Sequence, residues 1–86
     1  MTELEMFTKL PQLNEDCEKT DLGYVPTLSI VDNIIVQSIV YWYNIDTNNT
    51  LGLRFIANTP EEAIKNAYEW CKDSNLIDLS VTPKNS

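Results

Sequence analysis

The side chains here that could do chemistry are two thiols, Cys17 and Cys71, and a run of carboxylates, Glu15, Asp16, Glu18 and Asp21. Thiol catalysis needs a thiolate and a base to generate it. The chain contains no histidine, which removes the commonest general base and the commonest transition-metal ligand. Cys17 is flanked by Asp16 and Glu18, whose charge disfavours a thiolate. Cys71 falls on the apolar stripe of an expected helix and reads as a packed thiol. A hydrolytic carboxylate pair requires one acid raised by burial beside one that stays ionised. The neighbours of these four acids are polar, so a solvated acidic face is the better reading. The acids at 16, 18 and 21 do not make a calcium loop, because the glycine is misplaced and the closing glutamate is missing. The sequence therefore predicts no catalytic residue, no metal ligand and no cofactor, and the chain reads as non-enzymatic.

Thirteen acids stand against six bases, a net charge of −7. Such a chain repels phosphate, which argues against direct binding to nucleic acid and against docking on anionic membranes. Charge of this kind first keeps a protein soluble. In its sharper form, an exposed acidic face made of Glu15, Asp16, Glu18 and Asp21 competes for a partner's basic groove, as a mimic of nucleic acid does. The aromatic candidates are Trp42, inside Tyr41-Trp42-Tyr43, and Trp70. Tryptophan and tyrosine dominate interface hot spots, so Trp42 and Trp70 are candidate anchors for a protein partner. No basic-then-apolar leader and no apolar run of membrane-spanning length is evident, so a cytoplasmic protein with free thiols is expected.

These residues must be positioned by one small domain of 86 residues, with stability of about 4–13 kcal/mol by the per-residue rule. Apolar Leu4, Phe7 and Leu10, behind Thr2 as cap, predict a helix that Pro11 stops. Residues 14–23 are polar and acidic and read as a loop or a frayed helical turn. Residues 24–31 alternate weakly and predict a strand, with Pro26 on an edge or near its start. Asp32-Asn33 signals a turn. Residues 34–45 are the strongest strand stretch. One face carries Ile35, Ile39, Tyr41, Tyr43 and Ile45; the other carries Ile34, Val36, Val40 and Trp42. Residues 46–50 read as a hairpin loop. Residues 51–57 place Leu51, Leu53, Phe55 and Ala57 on one face, with Gly52 marking a bulge or a close approach. Thr59 caps a helix that begins at Pro60, with Glu62 placed to close a capping box, and Ala63, Ile64, Ala67, Tyr68 and Cys71 form its core stripe.

The expected organisation is a single domain: residues 1–23 as N-terminal helix and acidic loop, 24–57 as β-meander, 59–73 as helix and 76–86 as extended tail. The fold class is α+β, a small antiparallel sheet of about three strands with an N-terminal helix and a capped C-terminal helix. Apolar character on both faces of residues 34–45 predicts a sheet covered on both sides, one side by a helix and the other by a second helix or a partner chain. A homo-oligomer such as a dimer fits that expectation.

The residues Asn58-Thr59-Pro60-Glu61-Glu62-Ala63-Ile64, Tyr68-Glu69-Trp70 and Asn75-Leu76-Ile77 follow the strands in an order that resembles a group of small phage and prophage proteins, described as ABA-sandwiches. The resemblance covers residues 24–77 and implies a small sheet packed between helices in a protein of a mobile element. That group has no general assigned activity. The functional expectation is a non-enzymatic phage or prophage accessory protein, in the host cytoplasm, that binds a protein partner. An acidic inhibitor of a host defence nuclease is one concrete form, and a structural or oligomerising module is the alternative.

Overall fold

The computed structural model describes residues 1–32 and 34–77. Asn33 of the expected turn and residues 78–86 of the expected tail lie outside them. In chain order the elements are α1 (Glu3–Thr8), β1 (Gln12–Leu13), β2 (Lys19–Thr20), β3 (Val25–Asp32), β4 (Val36–Asn44), β5 (Asn49–Ala57) and α2 (Pro60–Asp73). This is an α+β fold with a short N-terminal helix, an antiparallel sheet in the order β3-β4-β5 and a C-terminal helix.

Both helices start on threonine caps. The Thr2 hydroxyl accepts from the Glu5 N–H at 3.2 Å, and the Glu5 carboxylate accepts from the Thr2 N–H at 2.9 Å, a complete capping box. The Thr2 backbone N–H, then its hydroxyl, holds the Glu5 carboxyl below the usual range. At α2 the Thr59 hydroxyl accepts from the Glu62 N–H at 3.2 Å and Pro60 occupies the first turn, but among the described residues the Glu62 carboxylate returns no bond to the Thr59 N–H, so the expected capping box is only half formed. Asn75 takes a left-handed conformation, φ 60°, and the Leu76 N–H reaches back to the Cys71 carbonyl at 2.8 Å. That closure satisfies an end carbonyl and turns Leu76 and Ile77 onto the core.

Antiparallel pairing sets Leu28 opposite Val40 and Val40 opposite Phe55. Period-two alternation then puts Leu28, Ser38, Val40, Trp42, Phe55 and Ala57 on one face. The α2 stripe Ala63, Ile64, Ala67, Tyr68 and Cys71 is buried against that face. Trp42 is 0% exposed; its indole N–H donates to the Pro11 carbonyl at 2.8 Å, and its ring meets Phe55 edge-on at 6.3 Å. The register shifts between Tyr41, paired with Arg54, and Tyr43, paired with Thr50, so the irregularity predicted at Gly52 is present. A Cβ at Gly52 would meet nothing within 4 Å, so a bulge, and not a close approach, accounts for it. Ser38 is fully buried and its hydroxyl has no hydrogen-bond partner among the described residues.

Three further expectations need correction. The acidic stretch is an ordered hairpin rather than a loop or frayed turn: β1 and β2 pair Gln12 with Thr20 and Leu13 with Lys19. Asn14 organises its turn, its side-chain oxygen accepting from the Asp16 and Glu18 N–H groups at 2.9 and 3.0 Å. Ile34 and Ile35 precede β4, in the turn rather than the strand. The second helix does not cover the far side of the sheet. Instead α1 packs on α2, and no helix among the described residues lies over Ile39, Tyr41 and Tyr43. The reason is geometric: α1 leads into Pro11 and Leu13, which seat over Trp42 on the face that α2 already covers.

Candidate interaction surface

Ala57, the last residue of β5, pairs with Ser38. Beyond that point the sheet has only β3 and β4, which continue as a two-stranded arm through Val31↔Gln37 and Asp32↔Val36. Branched side chains at Ile30, Val31, Ile34, Ile35 and Val36 would be core residues in a third layer, but here they meet solvent. Ile34 is 93% exposed, Ile35 61% and Ile30 60%. The arm continues into the uncovered sheet face, where Ser29, Val31, Ile39, Tyr41, Thr50 and Arg54 line a shallow groove of about 320 Å³. Between Leu22 and Ile45 the only charged residue is Asp32. Val31 shares a face with that groove, whereas Ile30, opposite Ser38, and Val36, opposite Asp32, lie on the other face of the sheet. Exposed aliphatic side chains gathered at one end of a sheet mark a contact site, because removing them from water is worth about 25 cal/mol per Å².

The predicted site residues are distributed differently. Trp42 is in the core and presents no surface to a partner, so its candidacy as an anchor is withdrawn: the even-numbered face of β4 is the one α2 covers. Trp70 is half-buried, its ring 6.0 Å from that of Phe55. Glu15, Asp16, Glu18 and Asp21 are all exposed and gathered on the β1–β2 hairpin and its exit. They belong to a different element from the arm. Cys17 is half-buried at φ 61° and Cys71 is buried; both are free thiols, and burial pushes the Cys71 thiol up to about 11. Among the described residues no three His, Cys, Asp or Glu side chains converge as a metal site would require.

The chain matches no protein family. No curated protein and no solved structure matches it significantly either. Among the described residues no helix is long and apolar enough to cross a membrane.

Sequence reasoning missed Ile30, Ile34, Ile35 and Val36 as surface residues, because β-branched runs read as buried strand. The signal that could have found them is the charge gap: from residue 22 to residue 45 Asp32 is the only charged side chain, the longest charge-poor stretch of an acidic chain.

Proposed function

We propose that this protein is a non-enzymatic interaction module that binds another protein through the β3–β4 arm and the sheet face beside it. The observation that carries the reading is the exposure of Ile34, Ile35, Ile30 and Val36 on one projecting hairpin. Aliphatic side chains left in water at a strand tip have no role in this chain's own core. A partner's apolar groove would desolvate them. The setting that the Asn58-to-Ile64, Tyr68-to-Trp70 and Asn75-to-Ile77 resemblance supports is a phage or prophage accessory protein.

The test compares two variants as baits in a bacterial lysate. Ile34→Asp with Ile35→Asp places charge on the arm; both sites are exposed, so the fold should survive. Amide replacement of Glu15, Asp16, Glu18 and Asp21 leaves the arm intact. A partner held by wild type should be lost by the arm variant and kept by the amide variant. Retention by the arm variant would refute the proposal.

A second reading has its own observation: four exposed acids on one short hairpin, held in place by Asn14. That arrangement suits competition for a basic groove such as that of a host defence nuclease. It predicts the opposite pattern, with capture lost in the amide variant and weakened steeply by salt, since exposed charges are screened over about 8–10 Å.

A further inference from the structure

We infer that a second copy of this chain pairs along the outer edge of β3, about a two-fold axis, and joins the two sheets into one. The inference rests on the proposed reading only in treating the charge-poor hairpin as a contact surface.

β3 is an edge strand. An open edge is a template for another strand, and proteins normally cover it, charge it or interrupt it. Here the covering is confined to the first residue before the strand. Tyr24 exchanges both backbone bonds with Leu13, N–H to carbonyl at 2.8 Å and carbonyl from N–H at 3.1 Å. Beyond that point no strand pairs with the outer edge among the described residues.

The Tyr24 bridge also sets the direction of the backbone groups. Tyr24 aims away from β4, and the β3–β4 ladder runs without a register shift. Alternation therefore aims Pro26, Leu28, Ile30 and Asp32 outward and leaves Val25, Thr27, Ser29 and Val31 to bond β4. Pro26, which has no N–H, sits at an outward position where the β4 ladder loses nothing. From Leu28 onward the outward groups are complete donors and acceptors.

Antiparallel pairing of this edge with itself is isologous, as a two-fold contact requires. Centring the axis on Ile30 sets Ile30 against its own copy and Leu28 against Asp32 of the other chain. Every residue in that set can both donate and accept, and Pro26 stays outside it. Centring on Leu28 would set Pro26 against Ile30 and lose a bond on each side. In the Ile30-centred register the two Asp32 residues lie about 14 Å apart along the strands at 3.4 Å per residue, beyond a physiological Debye length of about 8 Å.

Charge selects a second copy as the occupant. Each chain carries −7, so two copies repel except where charge is sparse. The β3 edge is such a place, with Asp32 its only charged residue. It offers no charge to recruit a basic partner, while its pattern complements itself. The exposed Ile30 side chain finds its cover in the Ile30 of the copy.

Sedimentation and amide hydrogen exchange on the full chain, across a concentration series, test this. The expected result is a dimer that forms with concentration and strengthens with salt. Between dilute and concentrated protein the Leu28 and Ile30 amides should slow by about tenfold or more, while the inward Thr27 and Ser29 amides keep their rates. Ile30→Lys, which opposes two cations across the axis, should give monomer; Ile45→Lys, in the β4–β5 turn and 78% exposed, should leave the dimer intact. Monomer at high micromolar concentration overturns the inference. So does a dimer whose Leu28 and Ile30 amides exchange as in the monomer, or protection of those amides in protein that sediments as a monomer, which would mean the edge is covered within one chain. Arm-dependent partner capture by a monomer would overturn this inference and leave the proposed function standing; a β3-edge dimer that captures nothing would do the reverse.

Discussion

The two glycines should respond to the same substitution with opposite signs. Neither has a positive φ, so a methyl group at either position meets no backbone strain, and only its surroundings matter. A Cβ at Gly23 would lie 2.5 Å from the Leu13 carbonyl oxygen and 2.6 Å from the Thr20 side chain. The first contact is backbone, and that carbonyl is the acceptor of the Tyr24 N–H at 2.8 Å. Relief therefore requires the β1–β2 hairpin to shift away from Tyr24. Overpacking of this kind costs about 1–3 kcal/mol, and weakening the Leu13–Tyr24 bonds adds about 0.5–1.5 kcal/mol each. Against this, losing glycine's unfolded-state freedom stabilises by about 0.4–1 kcal/mol. Gly23→Ala should thus destabilise by about 1–6 kcal/mol, a large part of a stability near 4–13 kcal/mol. Gly52→Ala has open space and should stabilise by about 0.4–1 kcal/mol. Urea unfolding followed by tryptophan fluorescence reads both. With a slope of about 1 kcal/mol/M the midpoint should fall by about 1–6 M for Gly23→Ala and rise by about 0.4–1 M for Gly52→Ala. Equal shifts, or a Gly23→Ala midpoint at or above wild type, would refute the packing argument.

Thr59→Ala should cost about 0.5–2 kcal/mol in the same titration, because its hydroxyl caps α2, which carries the core stripe; Glu62→Ala should cost less, since the Thr59 hydroxyl accepts from the Glu62 backbone N–H and not from its side chain. Ser38→Ala should stabilise by about 1 kcal/mol and raise the melting temperature by about 4–8 °C, because it removes a buried hydroxyl that has no partner; a lower melting temperature would show that the hydroxyl is bonded. Cys71 should resist thiol reagents in the native protein and react only on unfolding, measurable in a Cys17→Ser background. Its thiol pKa is raised by burial from about 9 to about 11, so the unfolded chain ionises first, and the stability difference between wild type and Cys71→Ala should shrink as pH rises from about 9 through 11.

Local signals were sufficient for much of this fold. Thr2 and Thr59 start helices because a side-chain oxygen satisfies an orphan amide a few residues away. The stripe Ala63, Ile64, Ala67, Tyr68, Cys71 was legible because helical spacing puts those residues on one side. The alternation of Leu51, Leu53, Phe55 and Ala57 likewise fixed which residues share a face. All of these depend on interactions within a few residues of sequence.

Tertiary structure decided the rest. In β4 both parities are apolar, so the sequence could show that Tyr41 and Tyr43 oppose Trp42 but not which side α2 would cover. That choice sent Trp42 into the core and left Ile39 and Tyr41 lining an open groove. The β1–β2 hairpin had no signature, since strands of two residues have no period; it exists because Leu13 finds Tyr24 and Asn14 closes the turn. The exposure of Ile34, Ile35 and Val36 was hidden for a related reason. A branched aliphatic residue records that burial is favourable, while the end of β5 at Ala57 decides whether anything in this chain is there to bury it.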